Sequence, residues 1–282
     1  MRVGIIGDKN RAAVWEKYLR SLLAVKEVVI TSSLSEAENI QACIILDDTA
    51  GNLHLLSDSI RLGIHSYLIS ELPVDEEQLK RICSLSQESD VRVQFSHWPT
   101  ISPASQWMKN QLPKPDFIQI IKEQSHLNFT ENRRQLSRSW TDEIGWIMKW
   151  MDMGTHRIEA QEVVPGNRDW GIRIFIKFEN GSTASLFILT AGTEKNHRRI
   201  ASGSNLLLDC RVEHQTVKKT LISGSQGISA ESQTFDRSRS AGISVLLFFK
   251  AIKLKKDTAF TPFDALKTAA TVKNINGLLK QL

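Results

Sequence analysis

Short apolar runs alternate along the first hundred residues with stretches whose apolar positions recur every three or four residues. Residues 2–7 form a nearly continuous apolar run of strand length. Over residues 11–23 the apolar positions are Val14, Tyr18, Leu19, Leu22 and Leu23, the spacing of one helix face. Further strand-length runs fall at 27–31, 42–46, 66–69 and 91–95, and helical spacing fills 53–62 and 75–86. The last of these helices is preceded by Pro73 and opens with Asp75, Glu76 and Glu77, acids that a helix N-terminus favours. Strands separated by helices of this length predict a parallel sheet covered on both faces, the doubly wound α/β arrangement.

The pattern changes after Pro113 and Pro115. Strand-like runs occur at 117–122, 158–164, 171–178, 183–190, 205–210 and 215–220, with one helix expected at 141–152. Asn180-Gly181 between two of these runs marks a tight hairpin. The expectation is an α+β domain with a mostly antiparallel, open sheet. Residues 223–244 are rich in serine and glycine and read as a mobile loop, and helices follow at 242–255 and 262–281. The domains predicted are 1–113 and 114–282, with the last helix packing back on the first. A second copy is the economical cover for an open sheet face, so a homodimer or higher homo-oligomer is expected.

Composition narrows the class. The 282 residues are 41% hydrophobic and 24% charged, enough for two cores. No run approaches the roughly 20 apolar residues that cross a bilayer, and no cleavage site follows the first strand. Cys43, Cys83 and Cys210 lie far apart without metal-ligand spacing, which fits reduced thiols in a cytoplasmic protein. The net charge of +5 comes with short basic groups (Lys195, Arg198 and Arg199; Lys218 and Lys219; Lys253, Lys255 and Lys256). No aromatic residues are interleaved to stack bases, so these groups read as solvated surface rather than a nucleic-acid site.

The first strand ends in a sequence that bears on chemistry. A dinucleotide-binding turn needs one glycine for the turn, a second for close approach to a diphosphate, and a small third residue for helix packing. That register gives Gly7, Lys9 and Ala12. Lys9 sets a β-carbon against the diphosphate but also brings a positive charge, and the helix N-terminus offers unpaired N–H groups. The second strand ends in Thr31, Ser32 and Ser33, with neither an acid for a ribose nor an arginine for a 2′-phosphate, so NAD and NADP both stay open. No histidine, cysteine or carboxylate pair has metal-ligand spacing.

The opening Arg2-Val3-Gly4-Ile5-Ile6-Gly7, His54 followed by Ser70-Glu71-Leu72-Pro73, the helix start Ser102-Pro103, and the tail from Phe263 to Leu279 together resemble the glucose–fructose oxidoreductase / inositol dehydrogenase (Gfo/Idh/MocA) family over nearly the whole chain. The resemblance implies an N-terminal Rossmann domain and an NAD(P)-dependent oxidoreductase acting on CH–OH groups of a sugar, cyclitol or polyol. Gly7, Lys9, Ala12, Ser32, Glu71 and Pro73 would then meet the cofactor. The lysine of the family's Glu-Lys-Pro sequence falls on Leu72, which carries no proton. The family's helix histidine falls on Asp142 or Glu143, and its aspartate on Gly145 or Trp146. General acid–base groups contribute about 10²- to 10⁴-fold each, so these losses leave two readings. In one, His97, Asp142 or Glu143 moves the proton. In the other, the chain is a catalytically silent relative that binds a ligand or a protein. Trp146 and Trp150, four apart, share a helix face and line a pocket or pack in the core.

Overall fold

The computed structural model describes residues 1–49, 51–123, 133–163, 171–189, 195–223 and 227–279, with the backbone alone for 133–139 and 223. The chain divides into two units, Met1–Ile101 with Ser238–Ala269, and Ser102–Arg237 with Ala270–Leu282.

In the first unit β1 (Arg2–Gly7) leads through α1 (Lys9–Arg20) to β2 (Glu27–Thr31) and β3 (Ala42–Leu46), and then through α2 (Asn52–Arg61) to β4 (His65–Leu68). α3 (Glu76–Glu88), β5 (Val93–Phe95) and the short α4 (Trp98–Ile101) follow. All pairings are parallel, in the order β2-β1-β3-β4-β5. The central strands are apolar throughout because both faces are covered. On one face Val3, Ile5, Ala42 and Ile44 pack with Trp15 and Leu19 of α1 and with Val245, Phe248 and Phe249 of α7 (Ser240–Leu254). On the other, Ile6, Cys43, Ile45 and Phe95 meet Leu56, Ile60, Leu79 and Ile82, together with Ala265 and Ala269 of α8 (Pro262–Leu279). Each fully buried Val, Leu, Ile or Phe among them contributes roughly 1.5–3 kcal/mol. Asp8 and Asp75 cap α1 and α3 by accepting from the N–H groups of Arg11 and Gln78.

The second unit is one eight-stranded sheet with helices on one face. α5 (Pro103–Gln111) precedes β6 (Phe117–Glu123), and α6 (Arg133–Met151) precedes β7 (Thr155–Val163), β8 (Gly171–Phe178) and β9 (Thr183–Leu189). β10 (Asn196–Gly203), β11 (Leu206–Arg211), β12 (Thr216–Ser223) and β13 (Gly227–Thr234) complete it in the order β13-β12-β11-β10-β6-β9-β8-β7. Only β6 with β9 is parallel. The Asn180-Gly181 turn joins β8 to β9, with Gly181 at φ +85°. Ile144, Ile147, Met148 and Trp150 of α6 pack on alternate residues such as Ile118, Ile172, Ile174 and Leu186, together with Val272 and Ile275 of α8.

The structure departs from the sequence reading in four places. The unit boundary falls between Ile101 and Ser102 rather than at Pro113, because Ala104, Met108 and Leu112 join the second core. The basic run at Lys195, Arg198 and Arg199 leads into β10, where Arg199 is buried instead of solvated. The loop expected over 223–244 is largely β13 and the start of α7, its residues 224–226 lying outside the described set. α6 begins eight residues earlier than the apolar pattern suggests, at 133 rather than 141.

Candidate functional site

The C-terminal ends of β1, β2, β3 and β4 carry the first group of candidate residues. Gly7 has φ +136°, and a β-carbon there would come to 2.5 Å from the Leu46 carbonyl oxygen. Only glycine makes this turn. Ala12 is fully buried one turn into α1 and lets the helix lie close to the sheet. Lys9 is exposed on the first turn and has no carboxylate partner among the described residues, whereas Arg11 is paired with Asp48. The amides of Lys9 and Asn10 precede the intrahelical ladder. They have no acceptor among the described residues, while the Arg11 amide is taken by Asp8 Oδ1 at 2.9 Å. A glycine-only turn, two open amides and an unpaired cation fit a diphosphate, and the capping Asp8 carboxylate is an opposing charge.

At the end of β2 the structure adds a residue that the sequence pattern does not mark. Glu36 sits in a 3-10 turn (Leu34–Glu36) that folds back so that Glu36 Oε2 accepts from Thr31 Oγ1, with Ser32 Oγ at 3.4 Å. The Thr31 hydrogen bond is the main reason its carboxyl lies below the ordinary value. At the end of β4 the amide of Ser70 donates to Ser96 Oγ, and the Ser96 hydroxyl returns a hydrogen bond to the Ser70 carbonyl, tying β4 to β5. Glu71 is exposed, Pro73 is half-buried, and Leu72 packs against the first core. His54 is exposed at the start of α2.

His97 follows β5. It is only 1% exposed, its Nδ1 lies 2.7 Å from Thr100 Oγ1, and its ring stacks on Phe260 with centroids 4.2 Å apart. The ring is thus sealed in place as part of the packing. Burial pushes the thiols of Cys43, Cys83 and Cys210 up to about 11, so none of them is a nucleophile at neutral pH.

The second unit holds a buried ionic cluster. Glu143 faces inward from α6 while Asp142, one residue earlier, is exposed. Both oxygens of Glu143 are engaged by Arg199 of β10, from Nε and Nη2 at 2.9 Å each, and the two residues are 1% and 2% exposed. Arg199 Nη1 also donates to Ser105 Oγ at 3.3 Å, and Trp146 Nε1 donates to the same oxygen at 3.1 Å. The guanidinium lies 4.7 Å from the centre of the Trp146 ring. His197 Nε2 is 3.2 Å from Glu143 Oε1, but bent away from good hydrogen-bond geometry, so the contact is mainly electrostatic. Burial opposes ionisation of Glu143, but the charge of Arg199, and after it that of His197, holds the carboxyl well below the usual range. A carboxylate held this way carries charge but exchanges no proton near neutrality. Trp146 and Trp150 pack edge to face with centroids 4.8 Å apart and are buried, Trp150 donating to the Leu112 carbonyl at 2.9 Å. Among the described residues no three His, Cys, Asp or Glu side chains gather as a metal site.

No family profile and no curated protein matches this sequence. Solved structures do match. A UDP-N-acetylglucosamine 3-dehydrogenase from Acidithiobacillus ferrooxidans superposes with a TM-score of 0.81 at 13% identity, covering 100% of this chain and 98% of that one. The chain shares the fold of that protein. An NAD binding oxidoreductase from Klebsiella pneumoniae gives 0.81 at 11% identity, covering 99% and 96%. A dehydrogenase from Chromobacterium violaceum gives 0.79 at 11%, covering 99% and 95%. At these identities the likeness is one of fold, and at that level it agrees with the Rossmann-plus-sheet architecture that the sequence resemblance implies. The sequence reading singles out Gly7, Lys9 and Ala12 but marks neither the Glu36 turn nor the buried cluster of Ser105, His197 and Arg199. Arg199 could have been suspected from the alternation Arg199-Ile200-Ala201-Ser202, which places it on the side of Ala201; its partner Glu143 lies 56 residues away and leaves no local trace.

Proposed function

We propose that this chain is an NAD(P)-dependent oxidoreductase of the Gfo/Idh/MocA type that acts on a hydroxyl of a sugar or polyol. The observation that carries the reading is the β1–α1 turn, where Gly7 holds a glycine-only conformation and two open amides face the same end as the unpaired Lys9. The full-length likeness in fold to a UDP-N-acetylglucosamine 3-dehydrogenase supports a sugar substrate. The nicotinamide, when bound, accepts or gives the hydride. For the chain's own part, Gly7 and Ala12 bring the helix start close to the diphosphate, and Lys9 offsets its charge. Ser32, Glu71 and Pro73 border the same end of the sheet. Of the three proton-carrier candidates, Asp142 alone is exposed; His97 is sealed and Glu143 is committed to Arg199.

Calorimetric titration with NAD⁺, NADH, NADP⁺ and NADPH tests the reading. At least one should bind with a Kd of about 1–100 μM, and Lys9→Gly should weaken it about tenfold by removing one favourable charge, some 1.4 kcal/mol. Millimolar or absent affinity for all four would remove the reading.

We also propose that the chain pairs with a second copy through the sheet face opposite α6. Phe117, Ile121, Phe175, Phe187 and Ile200 lie on that face by strand alternation and are only half-buried. Both charge signs border them, with Glu159 and Asp209 beside Arg173 and Arg198, as a self-complementary isologous contact requires. Light scattering after size exclusion should give about twice the 31.8 kDa chain mass, and Phe187→Glu should shift the protein to monomer. A wild-type monomer would overturn the pairing.

A further inference from the structure

We propose that Arg11 is a diphosphate-binding residue held in reserve by Asp48, the two forming an ionic latch across the crevice at the end of the parallel sheet. The inference rests on the cofactor reading above and goes beyond it, since that reading gives neither side chain a role.

Topology fixes where the crevice lies. From β1 the chain passes through α1 to β2 on one side, while β3 lies on the other side and leads through α2 to β4. The order reverses between β1 and β3, and in open α/β sheets ligands bind beyond the strand ends at such a point. Those two strands end side by side, with Gly7 registered against Leu46. The helices that follow them pack on opposite faces, Trp15 and Leu19 of α1 on one and Leu53 and Leu56 of α2 on the other. Arg11 stands in the first turn of α1, and Asp48 in the loop that enters α2. Arg11 Nη1 donates to Asp48 Oδ2 at 2.5 Å, so the pair bridges the gap between the two strand ends.

The backbone on both sides is braced, whereas the side chains are loosely held. Asp8 Oδ1 takes the Arg11 amide at 2.9 Å. Asp47 Oδ1 accepts from the Thr49 amide at 2.7 Å, and the Asp47 carbonyl accepts from Asn52 Nδ2 at 3.2 Å. The Arg11 and Asp48 side chains are 42% and 56% exposed, and neither has another partner among the described residues. A pair this exposed adds little to stability and opens readily. A diphosphate on the Lys9 and Asn10 amides would lie beside Arg11, which follows them in the same helical turn. A guanidinium binds phosphate oxygens through paired N–H groups as it binds a carboxylate. The Asp48 carboxylate would repel the same diphosphate. Entry of the nucleotide thus transfers the guanidinium from one anion to the other.

Calorimetric titration of the full chain with NADH and with NADPH tests the latch, the tighter of the two serving for the variants. The two halves of the pair should move affinity in opposite directions. Asp48→Asn keeps the shape and removes the repelling charge, and should tighten binding about tenfold. Arg11→Met should weaken it about tenfold. In the double variant the gain from Asp48→Asn should shrink to about threefold, because no guanidinium is left to release. A pair that only braced the loop would make both single substitutions act in the same direction. Asp58→Asn removes a carboxylate from another exposed pair, with Arg61 on α2, and should leave affinity at the wild-type level. Urea midpoints close to wild type confirm that each variant is folded. An Asp48→Asn protein that binds no tighter than wild type, or an Arg11→Met protein that binds no weaker, would overturn the latch and leave the cofactor reading standing. Binding of neither nucleotide by any of these proteins would instead overturn that reading, and the latch with it.

Discussion

Replacing Arg199 with methionine is expected to lower the unfolding free energy by about 3–5 kcal/mol, the largest loss predicted for any single change in the second unit. Arg199 is 2% exposed and meets both oxygens of Glu143, which is 1% exposed. Methionine fills much of the same volume, so cavity formation is a minor part of the cost. What remains is a carboxylate out of water with only the bent contact to His197. Glu143→Gln should cost less, because the amide can still accept from Arg199 and the guanidinium keeps Ser105 and the Trp146 ring. The double variant Glu143→Met, Arg199→Met should recover most of the stability lost by Arg199→Met alone, since apolar residues of similar size often replace a buried ion pair without loss. Urea denaturation of wild type, Arg199→Met, Glu143→Met and the double variant closes the cycle. A double variant no more stable than Arg199→Met would show that the charge pair is not what the cost reflects.

The same cluster fixes a pH dependence whose sign can be worked out. The folded-state pKa of Glu143 is depressed, so between that value and its unfolded value of about 4.5 the unfolded chain binds the extra proton. Its contribution to stability is present above the unfolded value and is lost as pH falls through the folded one. In Arg199→Met the main cause of the depression is gone and burial remains, which raises the folded pKa above the unfolded value. The contribution then changes sign, and the variant should regain stability relative to wild type as pH is lowered from 7 to 5. A constant difference between the two proteins across that range would count against ionised Glu143 as the source.

How much was legible in the sequence follows from which forces are local. The five parallel strands are apolar because both sheet faces are covered, and a buried strand states this in its own residues: Val3, Ile5 and Ile6, or Cys43, Ile44 and Ile45. Asp75 at the start of α3 and Gly181 between β8 and β9 are readable for the same reason, since a cap or a turn depends only on near neighbours. β13 is not readable. Every one of its described side chains is exposed, its composition is that of a loop, and only backbone pairing with β12 makes it a strand. β10 was hidden by two arginines, one of them neutralised by a carboxylate on a distant helix. The candidate site shows the same split. Gly7 and Ala12 answer to backbone geometry within one turn, whereas Glu36 reaches the end of β2 only because a 3-10 turn reverses the chain, and Glu143 is locked only because β10 passes beneath α6.

Gly7→Ala should both destabilise the first unit by at least about 3 kcal/mol and abolish nucleotide binding, and the two effects have one cause. At φ +136° an L-residue lies in a region that only glycine populates readily, and holding it there costs of order 1–3 kcal/mol. The added β-carbon would also stand 2.5 Å from the Leu46 carbonyl oxygen and 3.0 Å from the Leu46 β-carbon. Gly7 is registered against Leu46 in the β1–β3 pairing, and both strands are packed on two faces, so neither can yield cheaply. Relief requires the β1–α1 turn to adopt another path. That path would carry the Lys9 and Asn10 amides and the Lys9 ammonium away from the place where a diphosphate would sit. A control separates this from general damage: Ala13→Gly, at an exposed position of α1, should cost about 1 kcal/mol and leave affinity near wild type. Denaturant midpoints and NADH titration on the two variants decide the matter. A Gly7→Ala protein with the wild-type midpoint would show that the turn tolerates a side chain, and the argument that this glycine shapes a diphosphate site would then fail.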